Sequence, residues 1–207
     1  MIFNQDIQNW LVDNQITYSS EIVRKLIHIL SIIFAISLIL FGRDLILLPL
    51  IILSAIFIFF DYTRIKFTWV HNLYNKFFRQ ITRPNEKYTL TGASFTFIGV
   101  TLTILLFSES AAFIGLLFLS MGDSMGALIG RKYGKTRFGR KSIEGSFAFF
   151  LSCTLTAILI TSIPIIIILC TAIFATFLEA VKLPKLDDNI TIPIGSAFLI
   201  QIMNGTF

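Results

Sequence analysis

Charge is what this 207-residue chain has least of: Asp, Glu, Lys and Arg together make up 14% of it, against about 25% in a soluble domain. An ordinary water-soluble domain is excluded, because so few charges cannot clothe its surface. Cysteine is almost missing as well. Cys153 and Cys170 lie in apolar runs without metal-ligand spacing, which argues against a zinc site or a disulfide framework and for small buried hydrophobes. A cleavable signal peptide is not expected: the first 20 residues show no basic n-region and no apolar h-region, and the first long apolar run follows Arg24-Lys25. The chain has no internal repeat and no low-complexity linker. It also lacks a true phosphate-binding P-loop. "GRKYGKT" comes near, but Gly130 and Gly134 enclose three residues where that loop needs four, and they follow an apolar helix where it needs a strand.

What is present is apolar: 55% of residues are hydrophobic, 22 are Phe, and mean hydropathy is +0.81. The pattern predicts an all-α, polytopic integral membrane protein forming one membrane-embedded domain over 1–207. Apolar runs near the length that crosses a ~30 Å hydrocarbon core mark seven transmembrane helices, at about 26–42, 45–60, 92–107, 111–130, 146–163, 164–181 and 190–206. Pro164 suits the first turn of the sixth. Lys and Arg then set the orientation. With the N-terminus cytoplasmic, Arg24 and Lys25, six basic residues in 61–90, six in 131–141, and Lys182 with Lys185 all fall on the cytoplasmic side. Arg43 alone falls opposite, as does the C-terminus. The membrane is the plasma membrane in a prokaryote, the endoplasmic reticulum in a eukaryote.

Residues 61–83 read differently. Ile65, Trp69, Leu73, Phe77 and Ile81 recur at fours, with Arg64, Asn72, Asn75 and Arg79 opposite. That is a helix lying in the membrane interface, ended at Arg83-Pro84. Ile7, Trp10 and Leu11 suggest a weaker version near the N-terminus.

Ionisable groups inside apolar segments cost roughly 2.5–3.5 kcal/mol on insertion scales, so each is a functional candidate. Asp123 stands out, followed by His28, Glu109 and Glu179. Glu109, in "SES" on the outer side, reads as a solvated loop residue. Asp123, Glu144, Glu179, Asp187 and Asp188 gather on the cytoplasmic side with the basic stretch 131–141. Carboxylates beside cations at a membrane boundary suit Mg²⁺ with a polyphosphate, Lys and Arg neutralising the phosphate charge. The plainer reading of the basic residues is topology alone, which is adopted for 61–90. Gly122, Gly126 and Gly130 form a stripe, either for helix packing or for close approach of a substrate. Glu21, Arg24/Lys25 and His28 share one face of the first helix.

The stretches "RKLIHI", "GDSMGALIGRKYGK", "KSIEGS" and "DDNITIP", in that order over about 22–200, resemble the motifs of the CTP-dependent lipid-alcohol kinases: dolichol kinase, phytol kinase and the CTP-using diacylglycerol kinase. Gly126 departs from the Ala common there. The resemblance implies a polytopic helical enzyme that moves the γ-phosphate of CTP onto a lipid hydroxyl, and it points to Arg24, Lys25, Asp123, Gly130, Lys141 and Glu144. It also suggests a short member of the polyprenol-kinase type, acting on an isoprenoid alcohol. On this reading Asp123 holds Mg²⁺ or accepts the hydroxyl proton, and Glu144 shares the metal. Arg131, Lys132, Lys135 and Lys141 bind the triphosphate, with Gly130, Ser142 and Gly145 beside it, and Arg24 and Lys25 clamp phosphate from the first helix. His28, Glu179, Asp188 and Asn189 are secondary candidates. The expected partners are a lipid alcohol, a nucleoside triphosphate and membrane lipids, with no nucleic acid. The alternatives are a CTP:lipid-phosphate cytidylyltransferase, which needs the same groups, and a transporter, disfavoured because the acids sit at one face rather than mid-bilayer.

Overall fold

Gly42 is where the first apolar stretch turns back on itself. The computed structural model describes residues 17–138, 141–181 and 186–205. Helix α1 (Tyr18–Ile29) leads through one turn into α2 (Ile32–Lys66), and within α2 Gly42 takes φ 73° and ψ 168°, backbone that glycine alone adopts without strain. Contacts show the reversal. Arg24 on α1 and Arg64 near the end of α2 both reach the segment 86–89, whereas Arg43 at the turn reaches Phe107 and Glu109.

The remaining elements alternate between the same two ends. They are α3 (Thr68–Phe78), a 3₁₀ turn at Pro84–Lys87, α4 (Gly92–Leu106), α5 (Glu109–Leu117), a π-turn at Phe118–Gly122, α6 (Asp123–Tyr133), α7 (Ile143–Ile160), α8 (Ile165–Ala180) and α9 (Asp188–Asn204). Asn189 at the start of α9 donates to Gly92 O at the start of α4 (3.4 Å). Gln201, far along α9, accepts from the Ser108 N–H (2.8 Å). A two-residue antiparallel pair, β1 (Arg137–Phe138) and β2 (Lys141–Ser142), precedes α7.

The protein is thus an all-α polytopic membrane protein. Tyr18–Lys66, Glu109–Tyr133 and Ile143–Ile160 are each long and apolar enough to cross a membrane. Helices α4, α8 and α9, at 15, 16 and 17 residues, are short of the ~20 a simple crossing takes. The α5–α6 arm lies at the centre, where Ile114, Leu116, Leu117, Phe118 and Leu119 are buried together with Ile104, Phe149, Ile168, Ile192 and Ile200. Around it the outer faces carry exposed Ile, Leu and Phe, up to Leu159 at 82% exposed, a surface suited to lipid rather than water.

Glycines let α6 and α7 pack closely. A Cβ on Gly130 would lie 3.1 Å from the Gly145 Cα, and one on Gly145 would lie 2.8 Å from Gly126 O. Alanine at 145 would force the helices apart, and alanine at 130 would require its neighbour to give by a few tenths of an ångström. The stripe therefore serves helix packing, and the alternative of substrate approach at this face is set aside because α7 fills it.

The boundaries differ from the sequence reading at several points: a turn at 30–31 breaks the expected 26–42 helix, and the π-turn at Phe118–Gly122 interrupts the expected 111–130 helix. The first helix begins at Tyr18 rather than 26. The segment 61–83 is not one interfacial helix: 61–66 completes α2, the extended backbone of Phe67 ends it, and only Thr68–Phe78 forms α3. Ile65, Trp69, Leu73 and Phe77 keep their exposed apolar stripe. Arg64, assigned to the polar outer face, is instead 1% exposed. The N-terminal Ile7, Trp10 and Leu11, and the basic residues Arg140, Lys182 and Lys185, lie outside the described residues.

Candidate active site

The π-turn before Asp123 starts the site. The Asp123 N–H reaches back to Phe118 O instead of the Leu119 O that an α-turn would use, and Leu119 O lies 3.2 Å from His28 Nε2. A carbonyl can only accept, so this contact places a proton on Nε2. Such single π-turns recur at functional positions. Here the extra residue aims the Asp123 carboxylate at α1.

Two groups from α1 meet that carboxylate. Lys25 Nζ forms an ion pair with Asp123 Oδ2, and His28 Nε2 sits 3.3 Å from the same oxygen. Lys25 is 3% exposed and Asp123 is 7% exposed. One turn below, Ser31 and Ser120 share a hydrogen bond at 2.8 Å, fixing the register of α1 on the π-turn. Toward the end of the bundle lies buried Glu21, with Arg131 at 3.2 Å, Arg24 at 3.5 Å and Arg83 at 3.6 Å. Arg24 also meets Glu86 at 3.3 Å. Isolated buried charges would be prohibitive, so acids and bases appear as an interlocked set.

A second group adjoins the first. Lys141, on β2, pairs with Glu179 at the end of α8 and with Asp188 at the start of α9 (3.0 Å). Ser146 donates to the other Glu179 oxygen at 3.2 Å. Burial works against the Lys141 ammonium, but Asp188, Glu179 and Asp123 outweigh it and hold its pKa above the ordinary lysine value. Asp123 is thus close enough for its charge to be felt at Lys141. Burial pushes the Asp187 carboxyl up, opposed by the hydrogen bond it accepts from the Asn189 N–H (3.0 Å) as it caps α9.

Of the residues singled out in the sequence, the structure brings together Arg24, Lys25, His28, Asp123 and Arg131 in one cluster, and Lys141, Glu179 and Asp188 in the adjoining one. Asn189 spends its amide on Gly92 O. Gly130, Ser142 and Gly145 lie at the α6–α7 seam, where Ser142 caps α7 by accepting from the Gly145 N–H at 3.1 Å. Glu144 is not drawn to Asp123 in this arrangement. Its Oε1 accepts from the Thr136 N–H at 3.2 Å, in the first turn of α7, where a carboxylate complements the helix dipole. Its Oε2 is enclosed with no protein partner. Lys132 and Lys135 are exposed, Lys132 lying over the Tyr133 ring at 5.1 Å. Among the described residues, no group of three or more His, Cys, Asp or Glu side chains is arranged to hold a metal ion.

Sequence reasoning missed one polar assembly. Asp61 pairs with Arg64 at 3.0 Å and accepts from the Thr91 N–H (2.7 Å), the Thr91 hydroxyl (2.9 Å) and the Ser94 hydroxyl (2.6 Å). Arg64 in turn donates to Thr89 O at 2.8 Å and Glu86 O at 3.1 Å. The pair pins the turn that carries Glu86 against Arg24. Its signal was Asp61 itself, an acid closing the apolar run 45–60 with Arg64 three residues on, the spacing of neighbours on a helix.

The fold and the site define a helical membrane protein with an enclosed acid–base centre at one end of its bundle. No family profile and no solved structure matches the chain. Among sequence relatives, it is 35% identical over 188 residues to an uncharacterised protein of Rickettsia prowazekii, covering 86% of this chain and 91% of that one. It is 29% identical over 159 residues to CTP-dependent diacylglycerol kinase 1 of Schizosaccharomyces pombe, covering 67% and 73%. Shorter stretches match that yeast's dolichol kinase (35% over 103 residues; 44% and 19%) and the phytol kinase of Synechocystis (33% over 99 residues; 42% of each). The chain belongs to the family of CTP-dependent lipid kinases.

Proposed function

We propose that this protein is a kinase that transfers the γ-phosphate of CTP to the hydroxyl of an isoprenoid lipid alcohol, of the polyprenol or phytol type, at the cytoplasmic membrane face. The observation that carries the reading is the buried Lys25–Asp123–His28 group adjoining Lys141, Glu179 and Asp188 at one end of an apolar bundle. A triphosphate can approach that end from water, and a lipid can reach it from the bilayer. Family membership supports the same chemistry, since the named relatives are kinases of diacylglycerol, dolichol and phytol.

In the reaction the lipid hydroxyl oxygen bonds to the γ-phosphorus. The bond from that phosphorus to the β–γ bridging oxygen breaks, CDP leaves with the electron pair, and the hydroxyl proton passes to a carboxylate of the centre. Arg24, Lys25, Arg131 and Lys141 neutralise the phosphate oxygens. Each now holds a carboxylate and can exchange it for phosphate without meeting water. Lys132 and Lys135, at the surface, draw the anion in. The centre also offers Mg²⁺ hard carboxylate oxygens, of which one or two suffice when phosphate completes the shell. Asp123 would hold the ion, with phosphate completing its shell, while Glu144, the other expected ligand, faces the Thr136 N–H instead; the bound ion would offset charge on the transferring phosphoryl group.

Purified protein, Mg²⁺ and a panel of lipid alcohols and lipid phosphates test the reading, with CTP labelled at the α or the γ phosphorus. Label from γ in the product of an isoprenoid alcohol is the expected outcome. Label from α in a lipid product would make the protein a cytidylyltransferase. Transfer confined to diacylglycerol would keep the kinase and overturn the acceptor.

A further inference from the structure

Between α7 and α8 runs an apolar groove of about 420 Å³, within the roughly 300–1,000 Å³ of ligand sites. Ile143, Phe147, Phe150 and Ile173 line it, and its polar members are Ser146 and Thr176. Phe147, Ile143 and Ile173 are exposed on the outer face, so the groove opens sideways toward lipid. One end reaches the second cluster: Ser146, itself in the groove wall, donates its hydroxyl to Glu179 Oε2 at 3.2 Å, and Lys141 holds Oε1.

We propose that this groove is the acceptor site, taking the hydrocarbon chain of a lipid alcohol from the bilayer and delivering its hydroxyl to Glu179. The inference rests on the kinase reading above and adds where the acceptor lies. The Ser146–Glu179 contact is already that of an alcohol on this carboxylate. A substrate hydroxyl arriving along the groove replaces the Ser146 hydroxyl on Oε2, at a point that Lys141 links to Asp188 and to the field of Asp123. The occupant is committed by the chemistry: apolar walls suit a hydrocarbon chain, and the one polar end offers an acceptor for a single O–H donor. Phosphatidylcholine, with a charged headgroup and no O–H donor, does not match that end.

The test uses the full chain in nanodiscs and a long-chain alcohol carrying a diazirine on its hydrocarbon tail. Irradiation should label peptides covering 143–150 and 173–180, and unlabelled alcohol, but not added phosphatidylcholine, should suppress the label. Ile173→Trp, at a lipid-exposed position that tolerates bulk, should fill the groove and raise the KM for the alcohol by about tenfold or more, leaving the KM for CTP unchanged. Leu159→Trp, at the far end of α7, should change neither. Labelling elsewhere, or labelling that the alcohol does not suppress, overturns the groove assignment even where phosphate transfer is normal. Suppressible groove labelling without transfer to any alcohol overturns the kinase reading and leaves the site standing.

Discussion

Asp123 shows how much one buried carboxylate can be asked to do. It closes the π-turn, pairs with Lys25 and meets His28. Asp123→Asn should abolish phosphate transfer, and it should also leave the buried Lys25 ammonium without its carboxylate partner. Removing one member of a buried pair costs about 3–5 kcal/mol, while replacing both is often neutral. Asp123→Asn alone is therefore expected to melt earlier in detergent, and Lys25→Met combined with Asp123→Asn to recover most of that loss without recovering activity. Wild-type turnover in either variant would remove Asp123 from the site. Lys141 gives a pH expectation. Because its pKa stands above the ordinary 10.5, its ion pairs contribute their full stability below that value and lose it only as pH rises through the higher folded value. The melting difference between wild type and Lys141→Met should thus stay constant from pH 7 to 10, and a difference that shrinks across that range would contradict the pairing. The candidates on α1 and α6 were legible in sequence because a charge in an apolar run is conspicuous. Their partners were not: nothing local joins Lys25 to Asp123, 98 positions apart, or Lys141 to Glu179 and Asp188.

At the level of elements, the α6–α7 seam and the Asp61–Arg64 clamp hold the site in shape. Gly145→Ala would set a methyl 2.8 Å from Gly126 O and 2.9 Å from the Gly130 Cα, both backbone, so the helices must part. Overpacking of this kind costs about 1–3 kcal/mol, and it should lower kcat by displacing Ser142 and Lys141 at the start of α7. Normal kcat with a lowered melting point would limit the seam to stability. Asp61→Ala leaves the buried Arg64 guanidinium without its carboxylate, and the turn at 84–91 should then become the first point of limited proteolysis. The sequence marked the stripe of glycines but left packing and substrate approach as equal readings, since a stripe says only that something comes close. The helix at Thr68–Phe78 was legible from its apolar period, while its start was not, because Arg64 in a list of residues looks like any other arginine of that basic stretch.

For the molecule as a whole, the expected orientation rests on the segregation of Lys and Arg to one side, and labelling tests it. In a background lacking Cys153 and Cys170, a cysteine at position 109 should react with an impermeant maleimide in intact cells, and one at 135 only after permeabilisation. The reverse pattern would invert the assigned topology. Apolar composition and the four motif stretches are local properties of the chain, so the sequence by itself determined an all-α membrane protein and its kinase family. Which charges face one another is a different kind of fact. In a medium that penalises every unpaired charge, pairing is set by how the helices stack, through Gly42, the π-turn and the glycine seam. Only the tertiary structure decided that Lys25 belongs to Asp123, that Arg64 lies inside, that Glu144 turns to its own helix start, and that a groove open to lipid ends at Glu179.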